Sequence, residues 1–317
     1  MMNILALDFG GTKLAAAFVT GPLVSETQFS EVANDVSEGV SDASTDRDRM
    51  LRLCREVLGG AVPQAVGVSF GGLLSHSTGR VIRSHHVRGW EDFPLKEWLE
   101  NTFHAPVCVE NDANAAAFGE WRLGAAKDTE IALYVTVSTG VGGGWIIGGR
   151  VYHGRDGLAG EIGHTQILKN GPLCTCGRRG CVESLASGQA IARMAHEACL
   201  SSPLLDSTLF ALEEENALTA KMVAGEAASG DPVASRILQL AAESLGQGIA
   251  SAISLVNPDV VVVGGGVMNA GPQYIQHLFS SVYSSLLPGT TTKLALSALG
   301  ATAPLWGAAA LAEASLS

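Results

Sequence analysis

Residues 160 to 183 read GEIGHTQILKNGPLCTCGRRGCVE, which places one His, three Cys and two Glu in a single short stretch. His164, Cys174, Cys176 and Cys181 are one imidazole and three thiolates, a set that fills all four positions of a tetrahedral Zn²⁺. A filled set is that of a structural zinc, because a catalytic zinc keeps one position open for water or substrate. The spacing is not that of a zinc finger, and Cys174 and Cys176, separated by one residue, are poorly placed to bond each other. Glu161 and Glu183 flank the ligands. Carboxylates of this kind ordinarily lie in solvent. If a metal folds the loop against an active site, both are aimed at a polyhydroxy ligand.

Three glycine clusters could approach an anion. The sequence contains neither GxxxxGK[ST] nor GxGxxG, so a phosphate site here needs another geometry. Asp8-Phe9-Gly10-Gly11-Thr12-Lys13 offers one: glycines admit the anion to the backbone, Thr12 adds a hydroxyl donor, and Asp8 can hold hydrated Mg²⁺. Thr139-Gly140-Val141-Gly142-Gly143-Gly144 offers a second, and Gly264-Gly265-Gly266, after a buried apolar run, a third. Each alone reads as an ordinary tight turn; all three together favour nucleotide binding. Asn111-Asp112 follows a strand and opens a helix. Asp112 is then either a helix N-cap or a general base at a strand's carboxyl end, ready to accept a hydroxyl proton during phosphoryl transfer.

The elements that must hold these residues are legible as apolar runs. Asn3 to Phe9 and Leu14 to Val19 form a hairpin around the first glycine turn, and Ile131 to Val137 with Trp145 to Ile147 repeat the pattern around a turn over Ser138 to Gly144. Strands are expected at Val66 to Phe70, Pro106 to Val109 and Val260 to Val263, and helices over 45–58, 94–103 and from Asp112 to about Trp121. Asp231-Pro232 is a strong helix start, its apolar stripe running through Ile237, Leu238, Leu245, Ile249, Ile253 and Val256 before Asn257-Pro258 stops it. Pro272 opens another helix, and a strand followed by glycines and a helix is where α/β sheets bind ligands.

The 317 residues suit two lobes rather than one core. Hydrophobic residues make up 47% and charged residues 16%, the balance of a packed enzyme. A net charge of −11 argues against nucleic acid as a partner, although backbone N–H groups can still hold a small anion. No secretory signal is visible, and the Ala- and Gly-rich stretch from Ala298 to Ala312 reads as a buried helix, not a membrane span. Cysteines at 54, 108 and 199 are scattered and only 174, 176 and 181 crowd together, which suits a reducing cytoplasm and not a disulfide framework.

In combination, LALDFGGTK (5–13), VENDANAAAFGE (109–120), TGVGGG (139–144), GEIGH (160–164), CTCGRRGCVE (174–183) and VVVGGGV (261–267) resemble the ROK family of repressors and sugar kinases, nearly end to end. The resemblance implies an α/β, two-lobed, actin-like (ribonuclease H-like) ATPase fold with central mixed sheets and a ligand cleft between the lobes. Residues 1–113 would form the N-terminal lobe and 114–302 the C-terminal lobe with its zinc loop, while a helix over about 303–317 packs back on the first lobe. The implied reaction is ATP-dependent phosphorylation of a hexose at its 6-hydroxyl, glucose first, with N-acetylglucosamine or N-acetylmannosamine as alternatives.

By the same resemblance Asp8, Gly10, Gly11, Thr12 and Lys13, with Thr139, Gly140 and Gly142, embrace the phosphates of Mg-ATP, and Gly264, Gly265 and Gly266 lie near adenosine. Asp112 matches the catalytic base. Gly71, Gly72, Asn111, Asp112, Glu161, His164 and Glu183 match positions that touch the sugar. His164 is implied to bind the structural Zn²⁺ through one ring nitrogen and the sugar through the other, with Cys174, Cys176 and Cys181 completing the metal site. A homodimer or dimer of dimers in the cytoplasm is implied, with no membrane partner.

Three departures stand out: Gly71 where many family kinases have Pro, His86 where glucokinase-like members tend to have Asn, and Ser138 where a Gly commonly precedes the second turn. Gly71-Gly72 is similar to N-acetylmannosamine kinases, whereas GWEDFPL is glucokinase-like. Two rival readings are a sugar-responsive repressor, for which Asp8 leaves no room for an N-terminal helix-turn-helix, and a catalytically silent sugar sensor, against which Asp8, Asp112 and both phosphate turns speak.

Overall fold

The structure, a computed structural model, describes residues 2–11, 13–23, 26–33, 42–84, 87–201, 207–215 and 218–316. Thr12 and His86 lie outside the described residues. In chain order the first part comprises β1 (Asn3–Phe9), β2 (Lys13–Thr20), β3 (Glu26–Ala33), α1 (Ala43–Leu58), β4 (Ala65–Phe70), β5 (Gly72–Ser75), β6 (Arg80–Ser84), α2 (Leu95–Phe103), β7 (Val107–Asn111) and α3 (Asp112–Leu123). There follow β8 (Ile131–Val137), β9 (Val141–Ile147), β10 (Arg150–Val151), α4 (Glu183–Ala186), α5 (Gly188–Ser201), α6 (Leu209–Glu215), α7 (Ala220–Ala228), α8 (Pro232–Val256), β11 (Val260–Gly264), α9 (Pro272–Ser285), β12 (Lys293–Leu296) and α10 (Ala303–Ala314).

The chain divides into two compact units, one of Met1–Tyr134, Gly144–Ala159 and Ser297–Ser317, the other of Val135–Gly143 and Gly160–Leu296. In the first unit a five-stranded sheet has the order β3-β2-β1-β4-β7. β1 runs antiparallel to β2 and parallel to β4, which in turn is parallel to β7. The register sets Asp8 beside Ser69 and Phe70 beside Asn111, so three parallel strands end together and present Asp8, Ser69 to Gly71, and Asn111-Asp112 along one sheet edge.

Period-two alternation divides β1 between two cores. Leu5, Leu7 and Phe9 pack in one cluster with Met50 and Leu53 of α1 and Leu95 and Leu99 of α2. Ile4 and Ala6 pack on the other face with Leu305, Ala308, Ala309 and Ala312 of α10. The Ala-rich C-terminal stretch is therefore a buried helix, and its small residues set how closely it sits. A Cβ on Gly67 of β4 would fall 1.9 Å from the Ala308 carbonyl oxygen, and one on Gly307 would fall 1.7 Å from that of Ala115. Because α3 and α10 pack backbone to backbone in this way, residues 114–134 group with the first unit. Among the described residues no helix is long and apolar enough to cross a membrane.

A second sheet has the order β10-β9-β8-β11-β12, with β11 parallel to β12. In the second unit α8 starts as its sequence predicts: the Asp231 carboxylate accepts from the N–H groups of Val233 and Ala234, and Pro232 follows. It ends at Asn257, whose φ of 54° is the left-handed cap conformation. Ile237, Leu238, Leu245, Ile249 and Ile253 are buried as the stripe requires, while Val256 in the last turn is exposed.

Candidate functional site

In the first unit, chemistry-bearing groups gather where β1, β4 and β7 end. Gly10 permits the β1–β2 turn, since a Cβ there would lie 2.9 Å from the Lys13 carbonyl oxygen. Asp8 is 5% exposed and its Oδ1 accepts from the Ser69 hydroxyl at 2.7 Å. Burial pushes this carboxyl up to about 7 and nearby Asp112 adds to the rise, against the opposing pull of the Ser69 hydrogen bond and Lys13. Lys13 reaches Glu31 at 3.1 Å.

The Gly71 N–H donates to the Phe9 carbonyl, and a Cβ at Gly71 would stand 3.6 Å from Asp112 Oδ2. Gly72 is pressed against β6, where a Cβ would lie 2.6 Å from the Arg83 carbonyl oxygen. Asn111 ties these parts together: its Nδ2 donates to the Gly72 carbonyl at 3.1 Å, while its Oδ1 accepts from the N–H groups of Ala113 and Asn114. The N-cap of α3 is thus Asn111, and Asp112 occupies the first turn, where the helix dipole favours negative charge.

In the second unit the β8–β9 turn is shorter than its glycines suggest. Strand β9 resumes at Val141, so Gly142 lies within the strand. Gly144, in the first unit, lies in the same strand, and its bare backbone is needed there because a Cβ would meet Ala113 O at 2.7 Å. Thr139 and Gly140 form the turn, closed by the Ser138 N–H to Gly140 O and anchored by the Gly188 N–H to Ser138 O. A Cβ on Gly140 would lie 2.6 Å from Glu183 Oε2, and the same carboxylate oxygen accepts from the Val141 N–H at 3.1 Å. Glu183 Oε1 accepts from the Thr175 hydroxyl at 2.9 Å, so this carboxylate links the glycine turn to the cysteine loop. Gly264 ends β11. Gly265, with φ 93°, passes so close to β8 that a Cβ would lie 2.3 Å from Val137 O, whereas Gly266 faces open space.

His164, Cys174, Cys176 and Cys181 converge, their ligand atoms all within 4.8 Å of one another. Cys174 Sγ lies 3.6 Å from His164 Nδ1, and Cys176 Sγ lies 3.7 Å from Cys181 Sγ. Zinc bonds of about 2.3 Å to sulfur and about 2.0–2.1 Å to nitrogen give tetrahedral edges of about 3.8 Å for S···S and about 3.5–3.6 Å for S···N. The two contacts match those edges, so the residues fit the metal. The Arg178 backbone N–H, the foremost of several hydrogen bonds, draws the exposed Cys176 thiol down to about 6, while burial pushes Cys181 up to about 12. A dication would supply the charge that keeps Cys181 a thiolate. The other ring nitrogen, His164 Nε2, points toward Glu161 at 3.8 Å. Gly163 makes this placement possible, since a Cβ there would lie 2.1 Å from Val141 O.

The structure therefore gathers Asp8, Gly10, Gly71, Gly72, Asn111 and Asp112 in one unit, and Thr139, Gly140, Glu161, His164, Glu183 and the three cysteines in the other. Ser69 and Glu110 escaped the sequence reading. Ser69 is buried and bonded to Asp8; Glu110 is buried beside Asn111. The run Glu110-Asn111-Asp112 at a strand's end was the signal for the latter.

Comparison with known proteins extends these local matches over the whole chain. A glucokinase of Halalkalibacterium halodurans is 34% identical over 291 residues, covering 90% of this chain and 86% of its own. An N-acetylmannosamine kinase of Escherichia coli is 34% identical over 268 residues, 84% of each chain. The crystal structure of a ROK family glucokinase from Streptomyces griseus in complex with glucose and AMPPNP superposes with a TM-score of 0.81 at 33% identity, over 98% of this chain and 99% of that one. The architecture is that of the actin-like α/β ATPases. The ROK family model matches residues 4–315, which leaves only a few residues outside it at either end; the chain belongs to the ROK family.

Proposed function

We propose that the protein is an ATP-dependent hexose kinase that phosphorylates the sugar 6-hydroxyl, with glucose as its first substrate. The observation that carries this reading is the place of Asp112: at the carboxyl end of a parallel strand and in the first turn of α3, where its Oδ1 shares the Ala113 N–H with the Asn111 cap and its Oδ2 lies at the Gly71 loop. The Asp112 carboxylate accepts the 6-hydroxyl proton as that oxygen attacks the γ-phosphorus in line and ADP leaves.

In the first unit, Gly10, Gly11, Thr12 and Lys13 meet the ATP phosphates through backbone N–H groups, the Thr12 hydroxyl and the Lys13 ammonium. Asp8 would hold Mg²⁺ through its water shell; when bound, that ion offsets the charge that develops on the phosphates. Asn111 keeps one amide N–H for a sugar hydroxyl after donating the other to Gly72. In the second unit Thr139, Gly140 and Gly142 meet phosphate and Gly264, Gly265 and Gly266 lie near adenosine. Glu161 and Glu183 offer acceptors to sugar hydroxyls, and His164 Nε2, which carries the ring proton when Nδ1 faces the metal, offers a donor. His164 with Cys174, Cys176 and Cys181 would hold Zn²⁺, which supplies the cross-link that fixes the loop and leaves His164 Nε2 for the sugar.

One observation favours a second substrate class. Gly71 brings no side chain to the loop ahead of Gly72, and a relative named N-acetylmannosamine kinase is as similar as the glucokinase. An N-acetylated hexosamine is therefore the alternative. ATP consumption with Mg²⁺ against glucose, mannose, N-acetylglucosamine, N-acetylmannosamine, fructose and allose tests both. Glucose giving the highest kcat/KM supports the main reading, and a hexosamine giving it supports the alternative. Folded, zinc-loaded protein that turns over none of them moves the reading toward an unusual substrate or a catalytically silent sugar sensor.

A further inference from the structure

Behind the Asn111-Asp112 pair lies a second polar assembly that the proposed chemistry does not use. Glu110, 8% exposed, directs Oε1 to two donors at once: the backbone N–H of Asn111 at 2.9 Å and Nδ2 of Asn114 at 3.0 Å. Its other oxygen, Oε2, lies 2.7 Å from His153 Nε2. The His153 ring is stacked in turn on that of His76, with centroids 3.5 Å apart and planes 25° from parallel. Partial burial and the facing His153 hold His76 below the ordinary imidazole value, which favours a neutral ring that can stack. His76 sits in the turn between β5 and β6, on the hairpin that starts at Gly72. Glu110, Asn111, His153 and His76 all belong to the first unit.

Two imidazoles and a carboxylate within reach of one another also make a metal-type donor set. The geometry does not favour that use. A ligated imidazole keeps the ion in its ring plane, and two nearly parallel rings 3.5 Å apart cannot both include one ion. The 2.7 Å contact between Glu110 and His153 is instead a hydrogen bond between a carboxylate and a ring N–H.

What the assembly does control is the peptide between Glu110 and Asn111. That peptide sets the direction of Asn111, whose side chain caps α3 and holds Gly72, and Asp112 follows immediately. We propose that Glu110 is a positioning residue for phosphoryl transfer, held in place by His153, and that the pair fixes Asn111 and Asp112 at the geometry the transfer requires. His76 covers the outer face of His153. The inference rests on the sugar-kinase reading.

Glu110→Ala, assayed with the preferred sugar, tests it. Losing the anchor lets the Asn111-Asp112 pair drift, and misplacement of about 1 Å costs on the order of 10- to 100-fold in kcat. The KM for sugar rises with it, because Asn111 faces the sugar, while the KM for ATP stays unchanged. Glu110→Gln keeps the oxygen for both donors and presents an amide to the other His153 tautomer, so it restores kcat to within about threefold of wild type. If Glu110→Ala does not fold, His153→Ala, at a side chain 18% exposed, gives the same split at smaller size. A purely structural role predicts a lower Tm with kcat and both KM values of the folded enzyme within about twofold of wild type, and that outcome overturns the inference. So does a second tightly bound metal ion per chain that His76→Ala removes. Wild-type turnover in the same assay separates this failure from failure of the kinase reading, since only the latter abolishes it.

Discussion

Asp8 burdens the fold, a burden that the proposed mechanism turns to use, and Asp8→Asn should expose it. The carboxyl is buried against Ser69 with Asp112 near, which raises it from 3.8 to about 7. Below the unfolded value both states hold the proton and the group costs nothing. Between 3.8 and about 7 the native state binds a proton that the unfolded state has released, so wild-type stability falls as pH rises. The slope is about 1.4 kcal/mol per pH unit, and above the native value the penalty levels off at about 4 kcal/mol. Asparagine keeps the oxygen that accepts from Ser69 but carries no charge. The stability of D8N relative to wild type should therefore grow by about 2–3 kcal/mol between about pH 5 and pH 8. Urea unfolding of both proteins across that range, without added Mg²⁺, measures the gap. D8N should gain stability at the higher pH and lose turnover throughout, as expected where a strained group is kept for function. A gap that does not change with pH, or a wild type more stable than D8N at pH 8, refutes the reasoning.

Other parts of the structure carry predictions of their own. Elemental analysis of protein purified without chelator should find about one zinc per chain, and Cys176→Ser should lose it with a Tm fall of about 5 °C or more. Because Cys176 is exposed, that fall reports the metal and not core packing, and a zinc-free wild type of equal stability contradicts the structural role. Gly307→Ala drives a methyl group to 1.7 Å from Ala115 O and should cost about 3 kcal/mol or more, read by chemical unfolding. Gly225→Ala in α7 meets nothing within 4 Å and should be neutral or stabilise by up to about 1 kcal/mol, so a loss comparable to that of Gly307→Ala would undo the packing argument.

Local patterns made the elements legible. The apolar runs around Gly10-Gly11 and around Gly140 mark both hairpins, and Asp231-Pro232 marks the start of α8, because each signal is a property of neighbouring residues. The His and Cys cluster was legible for a different reason: four residues of two metal-ligating types within 18 positions leave few other uses. What stayed hidden depends on distant partners. Nothing near Gly67 or Gly307 announces that their missing side chains admit Ala308 and Ala115, and this packing assigns α3 to the first unit. The glycines at 142 to 144 read as a turn because their composition is that of one, while the demand for a bare backbone at Gly144 comes from α3. Asn111 and Asp112 are both good caps, and only the strand's exit direction decides that Asn111 takes the role. His153 lies 43 residues from Glu110 in sequence and could not be paired with it before the fold was known.

The central claim is that Asp112 removes the proton from a hexose 6-hydroxyl as ATP gives up its γ-phosphoryl group. Its most direct test is formation of glucose 6-phosphate from glucose and Mg-ATP by wild type and Asp112→Asn, with the site of phosphorylation read by NMR. The account predicts 6-phosphate from the wild type and a kcat reduced on the order of 10²- to 10⁴-fold in the variant, whose fold and zinc content are intact. Undiminished turnover by Asp112→Asn, or phosphate on another hydroxyl, would contradict it.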